Sequence, residues 1–540
     1  MSRGVNGDGS TARVIAPPTA DRVDVDVTVR VRRPGVWIET AAVAVLAAAV
    51  FVVHPYGYMT THPYWIDESW VALLSKAPLR VIGSSSSTPI GWLLLVRWAP
   101  VGRDQLRIVP LLFVCGDVVM AYVVARSLPW KTPTAARFAG TVAGVLVLLA
   151  PMSVVRNDLK QYTSDAFFAL VIIALACRYE AEPSRRRLVH LVLGAVVSVA
   201  FSTVAAFVSA AVFSSLVIVT LASRATNVLR DISVAAVATA FALGGYFLVL
   251  IIPHSSASLR GYWRGYYLDG GPFHEITVTW HRLSHLAPNF AMPEIAIVAL
   301  LVLGTIFIAG LGRKAIALAI PLLWIEMMIL ATLERYPFLD QRTSQFLVIT
   351  SLTVIAVGVA GLIISLASRS RILAVVLTLV VAGGFWRGAE PHIRSHGAIQ
   401  NEDVRSQVQY VVQHRHDGDV IVVSLESVYA FGYYWPGAKN AYFVDHTGTN
   451  ATGYTTRVTN LADVVYADGR MTQNTTDAMR QAIALAKEPG GTDRIWLVRT
   501  HLGGTEKRAW NNTYATFALH PQPIRVGSES LTLIDLRAPP

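Results

Sequence analysis

From residue 36 onward the chain alternates long apolar runs with short polar interruptions, and the alternation persists to about residue 387. A helix needs about 17–25 apolar residues to cross the hydrocarbon core of a bilayer. By that measure spanning helices are expected near 36–53, 106–126, 138–155, 165–178, 188–203, 204–222, 232–252, 293–311, 315–332, 344–367 and 371–387, about eleven in all. The stretch VLGAVVSVAFSTVAAFVSAAV within 188–222 contains no clear turn and reads either as one long helix or as a tight pair.

The polar interruptions orient this array. With the N-terminus in the cytoplasm, alternate loops contain ARSLPWKTPTAAR, RYEAEPSRRR, SRATNVLR, LGRK and SRSR, each short and basic. Cytoplasmic loops of membrane proteins have that character. The pattern favours two crossings in 188–222, because one crossing would invert every later loop. Residues 1–33 are polar and expected to form a disordered cytoplasmic tail rather than a cleavable signal. The loops 54–105, 253–292 and 333–343 then face outward. Within the first, DESWVALLSKAPL and STPIGWLLLVRWAP read as amphipathic pieces lying along the interface.

After residue 388 the pattern shortens. EDVRSQVQYVVQHR and TTDAMRQAIALAKE have helical periodicity, whereas DVIVVS, RIWLVR and SLTLIDL read as strands. Strands alternating with helices predict a small α/β domain over 388–540, outside the membrane by the same topology. The expected organisation is therefore a cytoplasmic tail (1–33), a polytopic α-helical membrane domain (34–387) and an extracytoplasmic α/β domain (388–540).

Composition agrees. The chain is 53% hydrophobic and 15% charged, against about 25% charged in soluble domains. Its net charge of +11 does not point to nucleic acid, because most Lys and Arg punctuate apolar segments. Cys115 and Cys177 both lie inside apolar runs and read as core residues rather than a disulfide or metal pair.

Four polar clusters fall on the outward face. PYWIDESW (63–70) carries Asp67 and Glu68, with His54 and His62 nearby. VVRNDLKQYTSD (154–165) carries Lys160, Tyr162 and Asp165. LRGYWRGYY (259–267) carries Arg260 and Arg264, and ERYPFLDQR (334–342) carries Arg335, Tyr336 and Arg342. Acids on one loop and cations on others, at one membrane face, suit a lipid-phosphate substrate whose tail lies between spans. A carboxylate is the usual general base for an acceptor hydroxyl. Sugar transfer from a polyprenyl phosphate then needs one base, cations for the departing phosphate, and positioning. His62, Tyr162, Asp165 and Tyr336 are candidate substrate contacts. His54 and His62 with Asp67 leave room for a divalent metal, although they form no compact ligand motif.

Each cluster also has a bland reading. The acids suit the start of an interfacial helix, Arg335 and Arg342 suit snorkelling at span ends, and Lys160 with Asp165 suits a structural salt bridge. Arg260 and Arg264 lie within an aromatic belt. The YYW at 433–435 suits core packing more than sugar stacking.

The motifs resemble a known group. YWIDESW is similar to the Asp-containing first external loop of GT-C glycosyltransferases, the bacterial relatives of protein O-mannosyltransferases and of the lipid A aminoarabinose transferase. RIVPLLFVCG resembles their Arg-x-x-Pro start of the second span, DLKQYTSDAFFAL their Lys-x-Tyr-x-x-Asp stretch, and ERYPFLDQR their late Arg/Tyr motif. The resemblance covers roughly 36–387; large luminal insertions of the O-mannosyltransferases are missing. It implies Asp67 as catalytic base, Glu68 as the second acid, and Lys160, Arg260, Arg264, Arg335 and Arg342 as candidates for the donor phosphate. Lys160 and Arg342 are the preferred pair, with Lys76 another possibility.

The reading is an inverting, polyprenyl-phosphate-dependent glycosyltransferase of the cell membrane, acting on a wall polysaccharide, glycolipid or protein hydroxyl. Mannose, glucose, galactose and arabinofuranose donors are all compatible with these residues. The rivals are a flippase or transporter of lipid-linked sugars, and a non-catalytic membrane assembly protein. A flippase needs polar residues deep in several spans, where Asp117 and Glu326 are the main exceptions to an apolar interior.

Overall fold

A computed structural model describes residues 34–54, 56–84, 87–151, 158–254, 256–268, 270–394, 402–445 and 452–537. The expected tail, 1–33, and part of the VVRNDLKQYTSD cluster lie outside these residues.

Every expected apolar segment coincides with a helix: Pro34–Val53, Ile108–Ser127, Pro133–Leu148, Tyr162–Ala181, Arg185–Val199, Ala205–Ala222, Thr226–Tyr246, Glu294–Gly310, Lys314–Thr332, Gln345–Ala367 and Arg371–Arg394. Among the described residues, six helices are long and apolar enough to cross a membrane, or seven if a bent pair counts as one span. Part of the difference from eleven lies in helix length, although Tyr162–Ala181, with 20 residues, is also outside the count. Pro133–Leu148 and Arg185–Val199 have 16 and 15 residues, short of the usual 17–25.

The ambiguous stretch resolves into two helices, Arg185–Val199 and Ala205–Ala222. Their turn is marked by contact rather than by Gly or Pro. The Gly91 N–H donates to the Ala200 carbonyl at 2.7 Å. A Cβ on Gly91 would stand 2.5 Å from that oxygen, so only glycine lets the first-loop backbone approach so closely. Small residues set another crossing: a Cβ on Gly358 would lie 2.7 Å from the Gly304 nitrogen, as in close packing of membrane helices. The segment Phe273–Phe290 lies at 91° to Glu294–Gly310. Its Phe273, Ile276 and Trp280 are exposed, the geometry of an in-plane amphipathic helix.

Among the described residues the C-terminal region holds seven strands: β1 (Val420–Val423), β2 (Asn440–Val444), β3 (Tyr454–Val458), β4 (Val464–Tyr466), β5 (Arg494–Val498), β6 (Gln522–Val526) and β7 (Glu529–Asp535). Five form a mixed sheet in the order β4-β1-β5-β7-β6, and β2 pairs with β3 alone. β1 runs parallel to β4 and β5, while β7 is antiparallel to β5 and β6. The strands read in DVIVVS, RIWLVR and SLTLIDL are β1, β5 and β7. The two expected helices are Val404–His414 and Thr472–Ala486.

The amphipathic pieces of the first loop differ from expectation. Helix Ile66–Lys76 buries every residue from Glu68 to Ser75, and helix Ile90–Trp98 buries Gly91, Trp92, Leu93 and Val96. They do not lie open along an interface. Trp70, Leu74 and Trp92 share one core with Val408, Phe431, Tyr454 and Trp496 of the C-terminal lobe. Tyr433, Tyr434 and Trp435 pack in this core. Tyr64 N–H donates to the Tyr434 hydroxyl at 2.8 Å, and the hydroxyls of Tyr433 and Tyr454 donate to the carbonyls of Arg103 and Trp70 at 2.7 and 2.8 Å. First loop and C-terminal lobe are thus one packed body on one end of the helical bundle.

Candidate functional site

The site begins at the first turn of helix Ile66–Lys76. Its N-cap residue, Trp65, has a side chain that only donates, so the free amides need acceptors from elsewhere. Glu402, on the way into the C-terminal lobe, accepts the Ile66 N–H at 2.8 Å. Glu68 reaches back to the Trp65 N–H at 3.4 Å. Acids here also suit the positive end of the helix dipole, so the capping reading of Asp67-Glu68 holds for Glu68.

Glu68 does more than cap. It forms an ion pair with Arg107 in which both side chains are 1% exposed. Arg107 Nε donates to Glu68 Oε1 at 2.6 Å, and its Nη2 to Glu68 Oε2. The remaining Arg107 donors meet the carbonyls of Met59, His62 and Pro63 at 3.0, 2.8 and 2.9 Å. Glu68 Oε1 also accepts the Leu159 N–H at 3.0 Å. Four donors saturate this carboxylate, which leaves it poorly suited to take a proton from a substrate.

Asp67, one residue earlier, points elsewhere. Its Oδ2 accepts from Arg342 Nη1 at 2.8 Å, and Arg342 Nη2 donates to the Tyr262 hydroxyl at 2.9 Å. The Arg342 guanidinium stands 5.7 Å from the Trp65 ring centre and 5.4 Å from that of Trp263, within cation–π range. Asp340 fixes the Arg342 turn by accepting the backbone N–H groups of Arg342 and Thr343 at 3.1 and 2.9 Å. Lys160 Nζ lies 3.7 Å from the Trp70 ring centre. Burial lowers the Lys160 ammonium to about 8, although Asp67 nearby favours its charged form. A carboxylate and two cations therefore converge, framed by indole rings.

The remaining expected residues distribute unevenly. Tyr162 is buried within electrostatic reach of Arg342 and Asp67. Tyr336 donates to the Thr343 carbonyl at 2.9 Å, supporting the Arg342 turn. Asp165 is buried one turn into its helix, and among the described residues no ion pair joins it to Lys160. Arg260, Arg264 and Arg335 are exposed, and among the described residues none of their side chains bonds to Asp67; Tyr262 represents their loop instead. Lys76 is exposed at the far end of its helix, roughly 14 Å from Asp67 along the axis. His62 is half-buried, and burial lowers its pKa. His54 is buried where the first helix ends. Among the described residues no group of three or more His, Cys, Asp or Glu could hold a metal ion.

Several members escaped the sequence reading: Tyr262, Trp263, Trp65, Trp70 and the C-terminal pair Glu402–His501. His501 Nδ1 lies 2.5 Å from Glu402 Oε1, and that hydrogen bond raises its pKa, with Asp67 contributing. The visible signal was the aromatic setting of PYWIDESW; nothing marked His501.

Glu68→Ala is expected to lower stability by about 3–5 kcal/mol, because it strands Arg107 as a buried unpaired charge. Arg264→Ala on the exposed loop should stay within about 0.5 kcal/mol. Thermal unfolding of the detergent-solubilised protein checks both. Equal melting of wild type and Glu68→Ala would contradict the assignment.

No protein-family model matches the sequence, and no curated protein matches it by sequence. Solved structures do match. The oligosaccharyltransferase of Archaeoglobus fulgidus, in complex with Zn and sulfate, superposes with a TM-score of 0.54 at 12% identity, over 85% of this chain and 67% of that one. ArnT of Cupriavidus metallidurans bound to undecaprenyl phosphate gives 0.51 at 14% identity, over 94% of this chain and 100% of that one. These are GT-C glycosyltransferases. The chain has the fold of the GT-C membrane glycosyltransferases.

Proposed function

We propose that this chain is an integral membrane glycosyltransferase that moves a sugar from a polyprenyl-phosphate donor to a hydroxyl acceptor outside the cytoplasm. The observation that carries the reading is the convergence of Asp67, Lys160 and Arg342 between the helical bundle and the C-terminal lobe. The fold is shared with an aminoarabinose transferase homologue bound to undecaprenyl phosphate, which supports a lipid-phosphate donor here. The alternating basic loops support a cytoplasmic N-terminus, with 34–387 as the membrane domain and 388–540 as an extracytoplasmic lobe.

In the proposed reaction the acceptor oxygen attacks the anomeric carbon on the face opposite the phosphate. The bond from that carbon to the phosphate oxygen breaks, and its electron pair leaves with the phosphate. Asp67 takes the acceptor proton. Single displacement inverts the anomeric centre, the outcome that the GT-C resemblance implies. Lys160 and Arg342 neutralise the charge developing on the departing phosphate. Arg342 also holds Asp67 in place before donor binds. Glu68 is a positioning residue, fixing the helix that carries Asp67.

The flippase reading rests on Asp117 and Glu326, which lie within helices Ile108–Ser127 and Lys314–Thr332. The polar groups that converge are at the end of the bundle instead, which favours transfer over passage.

Transfer of labelled sugar from synthetic decaprenyl-phosphate donors tests the reading. Asp67→Asn is expected to lose at least about a hundredfold in rate, as for removal of a general base, with donor binding retained. Undiminished transfer by a folded Asp67→Asn would remove Asp67 as base. A protein that binds donor and transfers nothing from any of them would favour the flippase.

Lys160 adds a pH dependence. It is charged below about 8, so donor affinity should fall as pH rises through that value. Lys160→Arg should carry the decline to higher pH, because guanidinium stays protonated. Wild-type donor affinity that is constant between pH 7 and pH 9.5 would contradict the role.

A further inference from the structure

The helix Tyr162–Ala181 starts beside the Asp67 site and spans 20 residues, about 30 Å. It leads into the short basic stretch RYEAEPSRRR, which the alternation of basic loops assigns to the membrane face opposite the Asp67 site. At that end lies an open cleft of about 610 Å³, lined by Arg178, Glu182, Ser184, Arg186, Arg187 and His190 among others. Its volume falls within the roughly 300–1,000 Å³ of ligand pockets.

The cations of the cleft have different employments. Arg187 is structural: its Nη1 donates to the carbonyls of Arg178 and Glu182 at 2.9 and 3.3 Å, and it pairs with the Glu182 carboxylate. That pairing also uses the one acid lining the cleft. Arg185, just outside, is held by Asp231 at 3.1 Å. Arg178 and Arg186 take part in none of the ion pairs among the described residues, and both are exposed. His190 adds a third group on the next turn. The cleft is thus left with an excess of positive charge and with the hydroxyls of Ser127 and Ser184.

Directly below, helix Arg185–Val199 presents Val189, Leu193 and Val197 outward, at 53%, 55% and 56% exposure. Their spacing of four places them on one stripe. An aqueous anion has no use for that stripe, whereas an acyl chain does. A basic cleft continuous with a lipid-facing apolar stripe has the two-part character of an amphiphile bound at its headgroup.

We infer that Arg178, Arg186 and His190 form a binding site for an anionic glycerophospholipid of the leaflet opposite the Asp67 site. Its phosphodiester is held by the two guanidinium groups, and one acyl chain lies along Val189, Leu193 and Val197. The site is independent of the proposed transfer reaction.

Native mass spectrometry of the full chain in detergent tests this, with phosphatidylglycerol, phosphatidylcholine, decaprenyl phosphate and inorganic phosphate titrated separately. Phosphatidylglycerol is expected to bind at least tenfold more tightly than phosphatidylcholine. Arg178→Gln/Arg186→Gln should abolish that preference while leaving the melting temperature and decaprenyl-phosphate binding unchanged. Arg186→Glu alone, a substitution at an exposed position, should weaken phosphatidylglycerol at least tenfold, which keeps the test valid if the double variant is unstable. Equal binding of the two phospholipids would overturn the site. So would wild-type phosphatidylglycerol affinity in the Arg186→Glu variant. Displacement of phosphatidylglycerol by inorganic phosphate or by decaprenyl phosphate at equal concentration would assign the cleft to a different ligand and overturn the inference as well.

Discussion

The buried pair of Glu68 with Arg107 is the contact on which the rest of the Asp67 end of the bundle depends. Arg107 opens the second long helix, Glu68 lies in the first turn of the helix that carries Asp67, and Leu159 immediately precedes Lys160. A guanidinium and a carboxylate with 1% exposure each are tolerated only when their donors and acceptors are met. Here the three carbonyls of Met59, His62 and Pro63 and the amides of Trp65 and Leu159 complete the set. Closing that network sets the distance between Asp67 and Lys160. The C-terminal lobe closes it from above, with Glu402 on the Ile66 amide and Tyr434 on the Tyr64 amide.

Two adjacent acids consequently have different surroundings. Successive residues on a helix differ by about 100°, so Glu68 turns into the packed junction while Asp67 turns toward Arg342 and Lys160. One carboxylate is saturated by structural donors. The other, 27% exposed at its side chain, has a guanidinium partner that an incoming phosphate would also attract. The proposed roles of base and positioning residue follow from that division.

Much of this was readable from the chain. Apolar length placed each long helix, and the strand periodicity of DVIVVS and RIWLVR placed the parallel pair β1 and β5. Asp67 and Arg342 are 275 residues apart in sequence, and the polar loops of one face brought both forward as candidates, although not as partners of each other. What was not readable depends on side-chain direction. Arg260 and Tyr262 share a short helix, but two residues on a helix diverge by about 200°, and it is the tyrosine that meets Arg342. The amphipathic look of DESWVALLSKAPL was correct in period and misleading in partner. Its apolar face meets the C-terminal lobe, a tertiary contact that no local pattern encodes. His501 was invisible for the same reason.

The proposed reaction requires a lipid phosphate to dock between Lys160 and Arg342 beside Asp67. The most direct measurement is an experimental structure of the protein in lipid nanodiscs with synthetic decaprenyl phosphate bound. Phosphate oxygens are expected within hydrogen-bond distance of Lys160 Nζ and the Arg342 guanidinium, with Asp67 facing the space where an acceptor hydroxyl would stand. A phosphate seated instead on Arg260, Arg264 or Arg335, with Lys160 and Arg342 unchanged around Asp67, would contradict it.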